Sequence, residues 1–127
     1  MIVNGREVKF FYNVLASIEV AGICPDGKLE NIEALFGGSY SENVHNTNLF
    51  MIALHRGYIE SMKYKEPSFS ETLLSEEELL NMETKDYLEL QNEAIAAYMG
   101  GPKRTVKTEP VKQKSGKKTD NELKKSS

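Results

Sequence analysis

The chain has 127 residues, 39% hydrophobic and 28% charged, with a formal net charge of −3 at pH 7. That length fits one domain of ordinary size with a short appendage. A single cysteine, Cys24, excludes an internal disulfide framework, and no apolar run reaches the ~18 residues of a membrane-spanning helix. The charge is unevenly spread: residues 1–99 carry seven Lys/Arg against sixteen Asp/Glu, near −9, whereas residues 100–127 carry nine against three, near +6. An acidic body argues against nucleic-acid binding by the folded part. The opening "MIVNGREVKF" lacks the charged-then-apolar order of a signal peptide, so the chain reads as a cytoplasmic protein of a reducing compartment.

In chain order, Asn4-Gly5 predicts a two-residue hairpin turn, because both positions need positive φ. Its strands would be Ile2-Val3 and about Glu7–Phe11. Phe11, Val14, Leu15 and Ile18 fall at helical spacing, with Gly22 as the stop. "ICPDGK" is a turn. "LENIEALFGG" predicts a short helix showing Leu29, Ile32, Leu35 and Phe36, closed by Gly37-Gly38. The longest apolar-periodic segment places Leu49, Ile52, Ala53, Tyr58, Ile59 and Met62 on a buried stripe, with Thr47 or Asn48 as its cap. Gly57 inside it costs about 1 kcal/mol of helix propensity, which signals a close helix contact or a bend. After a loop broken by Pro67, Ser75 and Glu78 stand at capping-box spacing. A last helix carries Tyr87, Leu88, Gln91, Ile95 and Tyr98 and stops at Gly100-Gly101-Pro102. The expected fold is mainly α: a small helical domain over residues 1–100 with a short N-terminal β-hairpin, then a disordered, basic, Lys-rich tail over 101–127, whose large apolar residues after Lys103 are Val106, Val111 and Leu123.

Catalytic constellations are sparse. His45 and His55 stand ten residues apart without the carboxylate pattern of a metal site, and a zinc site built from them and Cys24 lacks a fourth ligand and typical spacing. Cys24 beside Pro25 reads as an inert small hydrophobe rather than a nucleophile. "FGGSY" follows a helix instead of joining a strand to one, so it does not form a phosphate loop. "SEEELL" reads as a helix N-terminus. No enzyme activity, cofactor or metal is expected. Met51, Met62, Met82 and Met99, with Tyr58, Tyr64, Tyr87 and Tyr98, lie in or at the ends of the predicted helices. Met surfaces adapt to several partners and Tyr is enriched at interfaces, although ordinary core filling accounts for them as well.

The stretches "VNGREVKFFYNVLASIE", "CPDGKLENIEALFGGSYSENV", "MIALHRGYIESM" and "LLSEEELLNMETKDYLELQNEAIAAYMG", with the Lys-rich "KTEPVKQKSGKK", follow one another in an order that spans essentially the whole chain. In that order the chain resembles the small tail assembly chaperones of long-tailed bacteriophages and prophages of Gram-positive hosts. The resemblance implies a helical, non-enzymatic holding factor that uses no ATP. It implies that the partners are the tape measure protein, which is coated, and tail tube subunits, which are recruited. It also implies action in the host cytoplasm and absence from the mature virion; such proteins are often made in two lengths by a programmed frameshift. On this reading Met51, Tyr58, Met62, Tyr87, Tyr98 and Met99 are candidate client-binding residues, and Lys103, Arg104, Lys107, Lys112 and Lys114 are candidates for tail recruitment. Self-association stays open. Two other readings stay open beside it: a nucleic-acid-associated regulator using the basic tail, and a head–tail connector component.

Overall fold

The computed structural model describes residues 1–100. The tail expected over 101–127, including Gly101 and Pro102 of the expected stop, lies outside the described residues. The body is mainly helical with a two-stranded antiparallel hairpin at its start. The hairpin pairs β1 (Ile2–Val3) with β2 (Arg6–Glu7) in the register Ile2 to Glu7 and Val3 to Arg6. Asn4 and Gly5 take φ values of 52° and 79°, as the predicted turn requires. The second strand is shorter than expected, because its partner offers only two residues. Past it, the Phe11 N–H turns to the Leu54 carbonyl at 3.1 Å.

Four α-helices follow: α1 (Val14–Ile23), α2 (Tyr40–Lys65), α3 (Glu76–Leu80) and α4 (Thr84–Tyr98), with 3-10 segments at Pro25–Gly27 and Leu29–Phe36 between α1 and α2. Helix α1 runs through Gly22, the expected stop. Pro25 disfavours helical backbone at the residue before it, and Cys24 duly takes φ −79°, ψ 153° and ends the helix. Helix α2 begins eight residues earlier than a Thr47 cap would place it. Ser39 and Glu42 form a reciprocal capping box there, whereas Thr47 and Asn48 are buried in the helix interior. The Ser75–Glu78 capping box forms as expected and opens α3.

Helix α2 is the hub: α1, the Leu29–Phe36 segment, α3 and α4 all pack against it. At 26 residues it is roughly 39 Å long. The core around it contains Val8, Ala16, Val20, Leu35, Phe50, Met51, Leu54, Leu74, Leu79, Leu90 and Ala94. The ring of Tyr98 meets those of Tyr12 and Phe50 edge-on at 4.8 and 5.7 Å, and Phe36 meets Phe50 at 5.7 Å. The expected stripe on α2 is therefore too narrow. Phe50, Met51, Leu54 and His55 are buried as well, as suits a helix covered on several sides.

Gly57 fulfils its expected role as a contact point. A Cβ there would lie 2.8 Å from Asn13 Oδ1 and 3.0 Å from Ala16 Cβ, and would press on the Phe11 carbonyl. The neighbours include backbone and a helix cap, so they cannot swing aside. Gly57→Ala should thus lose stability despite a propensity gain of about 1 kcal/mol. A net loss of about 1–3 kcal/mol is expected, read as a lower urea midpoint with unchanged slope.

Candidate functional site

Helix α1, of sequence VLASIEVAGI, holds one charged residue, Glu19. Glu19 is occupied by an ion pair with Arg56 at 2.8 Å. One face of the helix, with Ala16 and Val20, is sealed against the core. The opposite face is also apolar and stays uncovered: Val14 is 76% exposed and Ile18 63%. These two stand one turn apart and so adjoin on the helix surface. Gly22 continues their row with nothing within 4 Å of where its Cβ would be, and Phe11, 47% exposed, precedes it. An amphipathic helix on a monomer's surface presents polar residues outward, and a helix that is apolar all round is normally buried. The sequence reading placed Phe11, Val14, Leu15 and Ile18 at helical spacing. Of these only Leu15 is half-buried, because Gly57 draws the small Ala16 against α2 and turns Val14 and Ile18 away from it.

The proposed Met and Tyr residues occupy several different environments. Met51 is fully buried, so it belongs to the core and drops out as a surface residue. Tyr98 is half-buried between Tyr12 and Phe50. Tyr87 is half-buried, its hydroxyl donating to Asn48 Oδ1 at 2.6 Å, and burial pushes its pKa up to about 12. Tyr58 packs edge-on against Phe69 at 6.1 Å, with half-buried Met62 one turn along α2. Met99 is 76% exposed at the end of α4. The candidates Lys103, Arg104, Lys107, Lys112 and Lys114 lie outside the described residues.

The polar groups with chemical potential are tied to the fold. Cys24 is buried, its thiol donates to the Val20 carbonyl at 3.2 Å, and burial pushes its pKa up, away from the thiolate that nucleophilic attack needs. His45 bonds Glu76 at 2.8 Å, and that bond, with one from Asn48, holds the Glu76 carboxyl below its ordinary pKa. His55 bonds Glu71 at 2.5 Å. Sequence reasoning missed both His–Glu pairs, because partners 31 and 16 residues away leave no local spacing signal. Among the described residues no group of three or more His, Cys, Asp and Glu could hold a metal ion, and no helix is long and apolar enough to cross a membrane. A depression of about 410 Å³ is lined by Ala34, Gly37, Gly38, Glu42, His45 and Asn46. Glu42 is engaged in the α2 cap, His45 with Glu76, and Asn46 with the Leu35 carbonyl. Among the exposed apolar residues of the described body, Val14 and Ile18 adjoin one turn apart on one helix, and this uncovered face of α1 is the candidate site.

No protein-family model matches the chain, and no curated protein or solved structure matches it either.

The separation of core from surface is directly checkable by denaturant unfolding. Met51→Ala should cost about 2–5 kcal/mol through the cavity it leaves. Val14→Ser and Ile18→Ser should each stay within about 0.5 kcal/mol of the parent, as ordinary surface changes do.

Proposed function

We propose that this protein is a phage tail assembly chaperone, a non-enzymatic factor that binds and solubilises the tape measure protein and helps recruit tail tube subunits during tail morphogenesis. The observation that carries the reading is the uncovered apolar face of α1, Val14 and Ile18 with Phe11 ahead of them, on an otherwise acidic helical body. Holding an aggregation-prone helical client requires an apolar strip that matches the apolar face of an amphipathic helix. Residues one turn apart on α1 present such a strip. It also requires that the holder itself stay soluble, and net charge far from zero does this; residues 1–99 carry about −9. The order of sequence features resembling the tail assembly chaperones supports the same reading. The client surface is accordingly centred on α1 and not on the buried Met51. The Lys-rich segment, with Lys103, Arg104, Lys107, Lys112 and Lys114, serves as the recruiting arm. The protein acts in the host cytoplasm and does not remain in the finished virion.

Co-expression with the tape measure protein tests this. The client should become soluble and co-purify with the parent chain, and a Val14→Ser/Ile18→Ser double variant that remains folded should lose most of that effect. Deleting residues 101–127 should keep the body folded and client-bound while weakening tube assembly. A client indifferent to the parent chain would contradict the proposal.

A further inference from the structure

Residues 66–74 connect α2 to α3 and run as a strap held down at a few points. Phe69 lies edge-on to Tyr58 at 6.1 Å, and the Thr72 carbonyl accepts from Arg6 at 2.7 Å. Leu74 is buried at the far end. The central attachment is His55, a fully buried imidazole on α2 that holds the strap by both ring nitrogens. The Leu74 N–H donates to Nδ1 at 2.9 Å, and Nε2 meets the Glu71 carboxylate at 2.5 Å. A backbone N–H can only donate, so Nδ1 must be the acceptor. The ring is therefore neutral with its proton on Nε2, donating to Glu71. A second proton has one place to go, Nδ1. There it would set two N–H donors against each other across 2.9 Å.

The charged groups around the ring come from three elements: Glu71 from the strap, Arg6 from β2 and Glu78 from α3. Arg6 lies 2.8 Å from Glu78 and 3.8 Å from Glu71. Burial opposes ionisation of Glu78, but hydrogen bonds from Asn4, the Ser75 backbone and Arg6 outweigh it and hold its pKa below the ordinary carboxylate value, so Glu78 stays ionised where histidine titrates.

We propose that His55 is a proton-operated latch: uptake of one solvent proton at Nδ1 breaks the bond to Leu74 and releases residues 66–74 from α2, while α1, α2 and α4 stay packed. Release exposes Leu74 and the Tyr58 ring, enlarging the apolar surface of the body. This inference does not rest on the chaperone reading. The sign follows from the environment. Burial lowers the pKa of His55 in the closed form, against the opposing pull of Glu71. The closed form is therefore fully stabilised above the ordinary histidine pKa, and that stability is lost as pH falls through the lowered value.

The test is amide exchange followed by NMR on the full chain between about pH 7.5 and 5, a range spanning the ordinary histidine pKa. At the upper end, the imidazole nitrogen shifts should report the Nε2–H tautomer. The Leu74 amide, corrected for the intrinsic pH dependence of exchange, should open roughly tenfold more for each pH unit below ~6.5, until His55 titrates in the closed form. Amides of α1 and the middle of α2 should not follow. Glu71→Gln keeps the acceptor and removes the charge that favours imidazolium in the closed form, so the rise should begin at the same pH but continue to lower pH before it levels off. His55→Gln, where it folds, should abolish the pH dependence. The proposal is overturned if Leu74 stays protected until α2 itself unfolds, if Nδ1 carries the proton at neutral pH, or if Glu71→Gln leaves the profile in place.

Discussion

Asn13 bridges two helices at a point where a methyl group would keep them apart. Its side-chain oxygen accepts from the Ala16 N–H at 2.9 Å and caps α1, while its side-chain nitrogen donates to the Gly57 carbonyl of α2 at 3.1 Å. One residue thus starts one helix and fixes its place on another. The contact exists because Gly57 has no Cβ. The Phe11 N–H reaches the Leu54 carbonyl through the same gap. With Ala16 pressed against α2, geometry decides the rest of α1. Val20, one turn on, also faces inward, and Val14 and Ile18 face out. The uncovered face of α1 is thereby a direct consequence of the packing that builds the core.

The acidic residues divide by task. Glu71, Glu76 and Glu78 hold elements distant in sequence: Glu78 joins β2 to α3 through Arg6, Glu76 joins α3 to α2 through His45 and Asn48, and Glu71 joins the strap to His55. Partly buried pairs of this kind tie elements together at modest net gain, and breaking one partner is the costlier event. Others, such as Glu30, Glu33, Glu77, Glu83 and Glu89, are exposed and surround the uncovered apolar strip with a net negative body. Its histidines and its thiol are engaged in structural bonds.

Local signals were legible. Asn4-Gly5 turned, Ser75 with Glu78 capped, and Leu29, Ile32, Leu35 and Phe36 faced the core. Gly57 announced a close contact in the midst of a helical pattern. What failed was deciding which side of a helix is inside. In α1 nearly every residue is apolar, so periodicity carries no direction; Ala16 is buried because of Gly57, 41 positions away, and not because of its neighbours. The Ser39–Glu42 box has the same spacing as Ser75–Glu78, yet the polar run through Asn48 hid it, and the buried polar residues Thr47, Asn48 and His55 explain why. Those side chains are buried because they find partners: Asn48 binds Glu76 and Tyr87, and His55 binds Glu71 and Leu74. Long-range pairing of this sort is invisible in a single sequence. Met51 shows the same limit: residue type allowed either adaptable surface or core, and packing made it core.

Hydroxyl-radical footprinting of the chain alone and in complex with the tape measure protein tests the central claim most directly. The account predicts that Phe11, Val14 and Ile18 become protected in the complex while exposed apolar residues elsewhere, such as Leu80 and Leu88, keep their reactivity. Protection confined to α3 and α4, with Val14 and Ile18 as reactive as in the free chain, would contradict it.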